Sequence, residues 1–117
     1  MIRRFVRFVC LLGTLLLVPA IVAHEATHYV FAKPVAEDVR LEVWPVPAVA
    51  VVWCADAPRW RCRLAKLAPT TVGVTMAPLV GSWLVLETSV HWTVAVLLVG
   101  YWTVYTIPSA GDLTVPE

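Results

Sequence analysis

Where a long apolar run ends, the chain reads His24-Glu25-Ala26-Thr27-His28, placing two imidazoles and a carboxylate within five residues. On a helix at ~100° per residue, His24 and His28 fall ~40° apart on one face, with Glu25 flanking them. Two neutral imidazoles one turn apart suit Zn²⁺, and a neighbouring carboxylate that is not a ligand can take a proton from water activated by the cation. The plain alternative is a pair of ordinary histidines on a helix, since so short a pattern arises by chance. Cost argues against it. Ionisable groups beside a long apolar run are expensive, and three together require a compensating bound cation or a polar cavity.

The elements that must position these residues follow from composition. A length of 117 residues allows one domain, 1–117, and 60% hydrophobic residues with a mean hydropathy of +0.79 indicate a membrane protein rather than a soluble globule. Nine basic residues nearly balance eight acidic ones, for a net charge of +1, so no nucleic-acid partner is indicated. Cys10, Cys54 and Cys62 are too few and too scattered for a disulfide framework, although Cys54 and Cys62 could pair in an oxidising compartment.

The first apolar run predicts a helix over about 5–32, ~40 Å long and sufficient to cross a ~30 Å hydrocarbon core. Pro19, one turn before His24, frees a backbone carbonyl and favours a kink. Arg3, Arg4 and Arg7 followed by Cys10 to Ala23 also resemble a secretory signal, with Ala23 as a cleavage position. Cleavage would remove the helix that orients His24, Glu25 and His28, so the two readings exclude each other. The apolar run continues past Ala23 through Tyr29 to Ala32, which favours the uncleaved helix.

From Lys33 to Lys66 charges appear. Val39-Arg40-Leu41-Glu42-Val43 alternates as a half-buried strand does, and apolar, β-branched Ala48 to Cys54 could pair with it across Pro45 and Pro47. This loop is either a loosely structured membrane-surface segment or an edge that holds an extended substrate by strand addition. Arg59, Arg61, Arg63 and Lys66, interleaved with Trp60, read as an interfacial anchor on lipid head-group phosphates. A second span is predicted over 67–86, with Gly73, Gly81 and Ser82 as packing positions. Glu87 to His91 forms a tight turn. The third span, 90–107, carries Trp92, Tyr101, Trp102 and Tyr105 near its ends and stops at Pro108, followed by Ser109-Ala110-Gly111-Asp112. The expected fold class is therefore a mainly α membrane protein: three transmembrane helices with a β-hairpin-like surface loop, 33–66, between the first two.

On His24-Glu25-Ala26-Thr27-His28 at a helix exit, the strand-like stretch after it, and Pro108-Ser109-Ala110-Gly111-Asp112 at the end of the last apolar run, the chain resembles the intramembrane zinc metalloproteases of the site-2 protease type. It is most similar to their very small membrane-embedded zincin peptidases. The resemblance spans nearly the whole chain as an order of elements, and it implies zinc-dependent hydrolysis of peptide bonds in membrane-protein or peptide substrates. Site-2 proteases commonly place an asparagine-containing motif near their aspartate, whereas this chain contains neither Asn nor Gln.

Three crossings put the end of the first helix, the loop 33–66, the start of the second helix and the end of the third on one membrane face. Asp112 then lies on the side of His24 and His28, while Glu87 and His91 lie on the far side. Asp112 is the favoured third ligand, because a site between packed helices is more rigid than one completed by a loop. Glu37, Asp38, Glu42 and Asp56 share its face and stay open as alternatives. Six basic residues in the loop against three before the first helix place the loop and the site in the cytoplasm, although Arg3, Arg4 and Arg7 pull the other way.

The expected chemistry is peptide hydrolysis with His24, His28 and Asp112 on Zn²⁺ and Glu25 as proton acceptor and donor. Ser109, Thr70 and Thr71 are the candidate oxyanion donors. A non-catalytic membrane protein, binding substrate or assisting assembly with no zinc site, is the alternative. In so small a bundle, keeping the site from lipid could also require a homo-oligomer.

Overall fold

The computed structural model describes residues 1–45 and 47–113; Val46 and residues 114–117 of the expected single domain lie outside them. The described residues form four helices and one hairpin, α1 Ile2–Ala32, β1 Ala36–Glu42, β2 Ala48–Trp53, α2 Arg59–Lys66, α3 Ala68–Leu86 and α4 Trp92–Thr106.

Helix α1 is continuous through Ala23 and holds Pro19 inside it. Its buried residues are Ala20, His24, His28 and Ala32, four positions apart each time and hence a single stripe. The small residues at both ends of that stripe let neighbouring elements approach, and the imidazoles fill its middle. The rest of the helix turns Phe5, Phe8, Leu11, Leu12, Leu15 and Leu16 outward. Exposed apolar surface of that extent marks a face for a membrane or for another protein.

The hairpin is antiparallel, with Val39 opposite Val51 and Leu41 opposite Val49, and a register shift between Ala36 and Asp38. Residues on β2 alternate outward and inward, so Val51 and Trp53, with Val39 and Ala57, pack on a small core of Ala32, Val35 and Ala65. That core lies where the exit of α1, the hairpin and α2 meet. A turn closed by the Ala57 amide on the Cys54 carbonyl leads into α2.

Helix α2 was not expected as a helix. It buries only Cys62 and Ala65, three apart, and places Arg63 and Lys66 in its last turn, where cations favour the carbonyl end. In α3 the buried residues Ala68, Pro69 and Gly73 all lie in the first two turns, and Pro78 sits inside the helix. A Cβ on Gly73 would overlap the Thr106 side chain, and Trp102 donates its indole N–H to the Gly73 carbonyl at 2.8 Å. Gly73 is therefore the crossing point of α3 and α4. A Cβ on Gly81 would meet nothing within 4 Å outside its own helix backbone and Ser82 is exposed, so the expected packing role falls to Gly73 alone of the three.

Two helices, α1 and α3, are long and apolar enough to cross a membrane; the third expected span, 90–107, is a helix of 15 residues. That is about 22 Å of helix against a ~30 Å hydrocarbon core. Local chemistry shortens it at both ends. His91 is the extended N-cap, accepting from the Thr93 amide, and Ile107 is extended because it precedes Pro108.

Candidate functional site

Among the described residues His24 and His28 are the buried polar ones, 5% and 7% exposed within the single chain. Each ring is fixed through Nδ1 by a backbone carbonyl. His24 donates to the Tyr105 carbonyl at 2.7 Å and His28 to the Ala65 carbonyl at 3.0 Å. A carbonyl oxygen has no hydrogen to give, so both rings carry their proton on Nδ1.

Both Nε2 atoms consequently face the same point. They lie 3.1 Å apart, with His24 Nε2 at 3.3 Å from Asp112 Oδ2 and His28 Nε2 at 3.0 Å from Asp112 Oδ1. In the neutral rings these are lone pairs turned on each other and on a carboxylate, an arrangement that needs either an added proton or a cation. Among the described residues His24, His28 and Asp112 form the one cluster able to hold a metal ion.

Asp112 is placed by the turn after α4. Its Oδ2 accepts from the Ser109 amide at 2.6 Å while its own amide donates to the Ser109 carbonyl at 3.1 Å. Helix α4 is in turn tied to α1 by Tyr105. The Thr27 hydroxyl spends its single hydrogen on the Ala23 carbonyl at 2.8 Å, so the Tyr105 hydroxyl is the donor in their 2.8 Å contact.

Beside the cluster opens a cleft of about 370 Å³, lined by Glu25, His28, Trp53, Lys66, Ser109 and Asp112 and by inward residues of β2 such as Val49 and Val51. Glu25 is half-buried there, and its carboxylate makes no hydrogen bond or ion pair among the described residues. A carboxylate so held is open to a water or a substrate proton. Lys66 reaches the Gly111 carbonyl at 3.5 Å across the same cleft.

The other expected candidates lie elsewhere. Glu37, Asp38, Glu42 and Asp56 are exposed, and Asp38 pairs with Arg40 at 2.8 Å. His91 caps α4 and Glu87 accepts from Ser89 at 2.5 Å, both away from the cluster. Thr71 gives its hydroxyl to the Leu67 carbonyl, and neither Thr70 nor Thr71 lines the cleft, whereas Ser109 does. Cys10, Cys54 and Cys62 are free thiols. Sequence reasoning missed the carbonyls of Ala65 and Tyr105, the Ser109 amide and the place of Lys66. For the β2 wall of the cleft the signal was the short, apolar, β-branched run from Ala48 to Cys54. Compared with family models, with curated proteins and with solved structures, the chain has no match.

Proposed function

We propose that the protein is a membrane-embedded zinc peptidase of the site-2 protease type, with His24, His28 and Asp112 as ligands and Glu25 as general base. The observation that carries this reading is the convergence of two Nε2 atoms and a carboxylate at 3.0–3.3 Å from one another. Ligands ~2.0–2.1 Å from a tetrahedral centre stand about 3.3 Å apart, so this donor set fits zinc. The carbonyls of Tyr105 and Ala65 supply the outer hydrogen bonds that fix metal-binding imidazoles in one tautomer.

Zinc bound there supplies a Lewis acid that makes water nucleophilic near neutral pH and polarises a carbonyl. Glu25 accepts the proton from the attacking water and returns it to the leaving amine nitrogen. The free edge of β2 gives an extended peptide a third-strand position beside Glu25, with its backbone groups paired and its side chains alternating into the cleft. Ser109, which lines the cleft, is the polar side chain we assign to the carbonyl oxygen, in place of the absent asparagine.

In this reading α1, α3 and α4 all cross the bilayer, α4 packing on both of the others despite its length, in a multi-pass protein whose site faces the cytoplasm. The test is incubation of the purified full-length protein with a peptide library in detergent, with new termini identified by mass spectrometry. Cleavage is expected with zinc, and Glu25→Gln should lower it by roughly 10²–10⁴-fold while keeping the metal. A parent protein with neither zinc nor cleavage would favour the non-catalytic alternative.

A further inference from the structure

Helix α2 presents a surface that the peptidase chemistry does not use. It contains Arg59, Arg61, Arg63 and Lys66 and no acidic residue. Its inner face is Cys62 and Ala65, while Arg59, Trp60, Arg61, Arg63 and Leu64 are exposed, with Trp60 at 62%. Arg59, Arg61 and Arg63 have no carboxylate partner among the described residues. Arg61 lies over the Trp60 ring at 5.1 Å, a stack that stiffens a cation and an aromatic side chain together.

Its place in the chain fixes its level. Helix α2 follows the hairpin that caps the exit of α1 and ends two residues before α3 starts, so it sits where both long apolar helices meet the membrane surface. Trp60 and Leu64, one turn apart and exposed, suit the interfacial layer, and the arginines flank them. We propose that α2 is a docking surface for the head groups of anionic phospholipids. The inference rests on the membrane placement of α1 and α3 and is independent of zinc.

One consequence reaches the metal cluster. The Ala65 carbonyl on the inner face of α2 holds the Nδ1–H of His28 at 3.0 Å. A lipid that seats the outer face of α2 therefore bears on the His28 ring through a single peptide group.

The experiment reconstitutes the full chain in phosphatidylcholine bilayers containing a trace of spin-labelled phosphatidylglycerol or spin-labelled phosphatidylcholine. The motionally restricted fraction of each gives their relative association. The wild type should favour phosphatidylglycerol at least about threefold, less at high salt. R59Q/R61Q/R63Q should abolish the preference, and R59K/R61K/R63K should keep it. No preference in the wild type, or a preference lost in R3Q/R4Q/R7Q but kept in R59Q/R61Q/R63Q, overturns the proposal. Extraction of the protein from membranes by alkaline carbonate would instead remove the membrane placement beneath it.

Discussion

The hydroxyl of Tyr105 donates to Thr27 at 2.8 Å, while the carbonyl of the same residue accepts from His24 at 2.7 Å. One residue of α4 thus grips α1 at two points a turn apart, by its side chain at Thr27 and by its backbone at His24. The two roles separate by mutation. Tyr105→Phe should cost about 1 kcal/mol of stability, the worth of one hydrogen bond, and leave zinc content unchanged because the carbonyl stays. Thermal unfolding in detergent and elemental analysis of the same sample read both quantities; a loss of metal would show that the side chain, not the carbonyl, positions His24.

The donor set predicts metal content directly. Wild-type protein should hold about one zinc per chain, and His24→Ala, His28→Ala and Asp112→Ala should each bring it near zero. Glu37→Ala, Asp38→Ala, Glu42→Ala and Asp56→Ala, all exposed, should match the wild type. Unchanged zinc in the Asp112 variant would pass the third position to a loop carboxylate.

Membrane topology has its own readout. In a background lacking Cys10, Cys54 and Cys62, single cysteines at positions 109, 57 and 88 can be probed with an impermeant thiol reagent in sealed, oriented vesicles. Positions 109 and 57 should label from one side and position 88 from the other. Labelling of 88 from the same side as 109 would show that α3 and α4 do not both cross.

Close approach at Gly73 predicts an overpacking penalty. Gly73→Ala puts a Cβ into the Thr106 side chain and should destabilise by about 1–3 kcal/mol, as forced methyl groups in packed sites do. Gly81→Ala meets no neighbour within 4 Å and should be neutral or slightly stabilising. The helical double variant Gly73→Ala/Thr106→Gly should recover part of the loss, measured as a coupling energy by thermal unfolding. Equal effects at positions 73 and 81 would remove the crossing point.

How far the sequence could be read depended on which groups carry the information. His24, Glu25 and His28 announce themselves by residue type and spacing, and Asp112 by following the last apolar run on their side. Ala65 and Tyr105 contribute carbonyls, which every residue has, so no pattern marks them. Helix α2 was hidden because eight residues with only Cys62 and Ala65 inward give no readable period, and their charges dominate. The length of α4 was overestimated because hydropathy continues through Val90 and Ile107, while the backbone there obeys His91 and Pro108. Thr70 and Thr71 were on the expected face, but Thr71 spends its hydroxyl on its own helix and neither reaches the cleft. The hairpin was legible because alternation and two prolines specify strand, turn and strand with little competing signal.

His24 and Asp112 stand 88 positions apart, and α2, α3 and α4 all lie between them. During synthesis the histidine pair is therefore complete long before its carboxylate exists. Until residue 112 has been made and α4 has docked on α1, the emerging chain has two imidazoles and a free Glu25 but no finished cluster. In the peptidase proposed above the third ligand would thus arrive last, and hydrolysis would wait on the docking of α4 against α1.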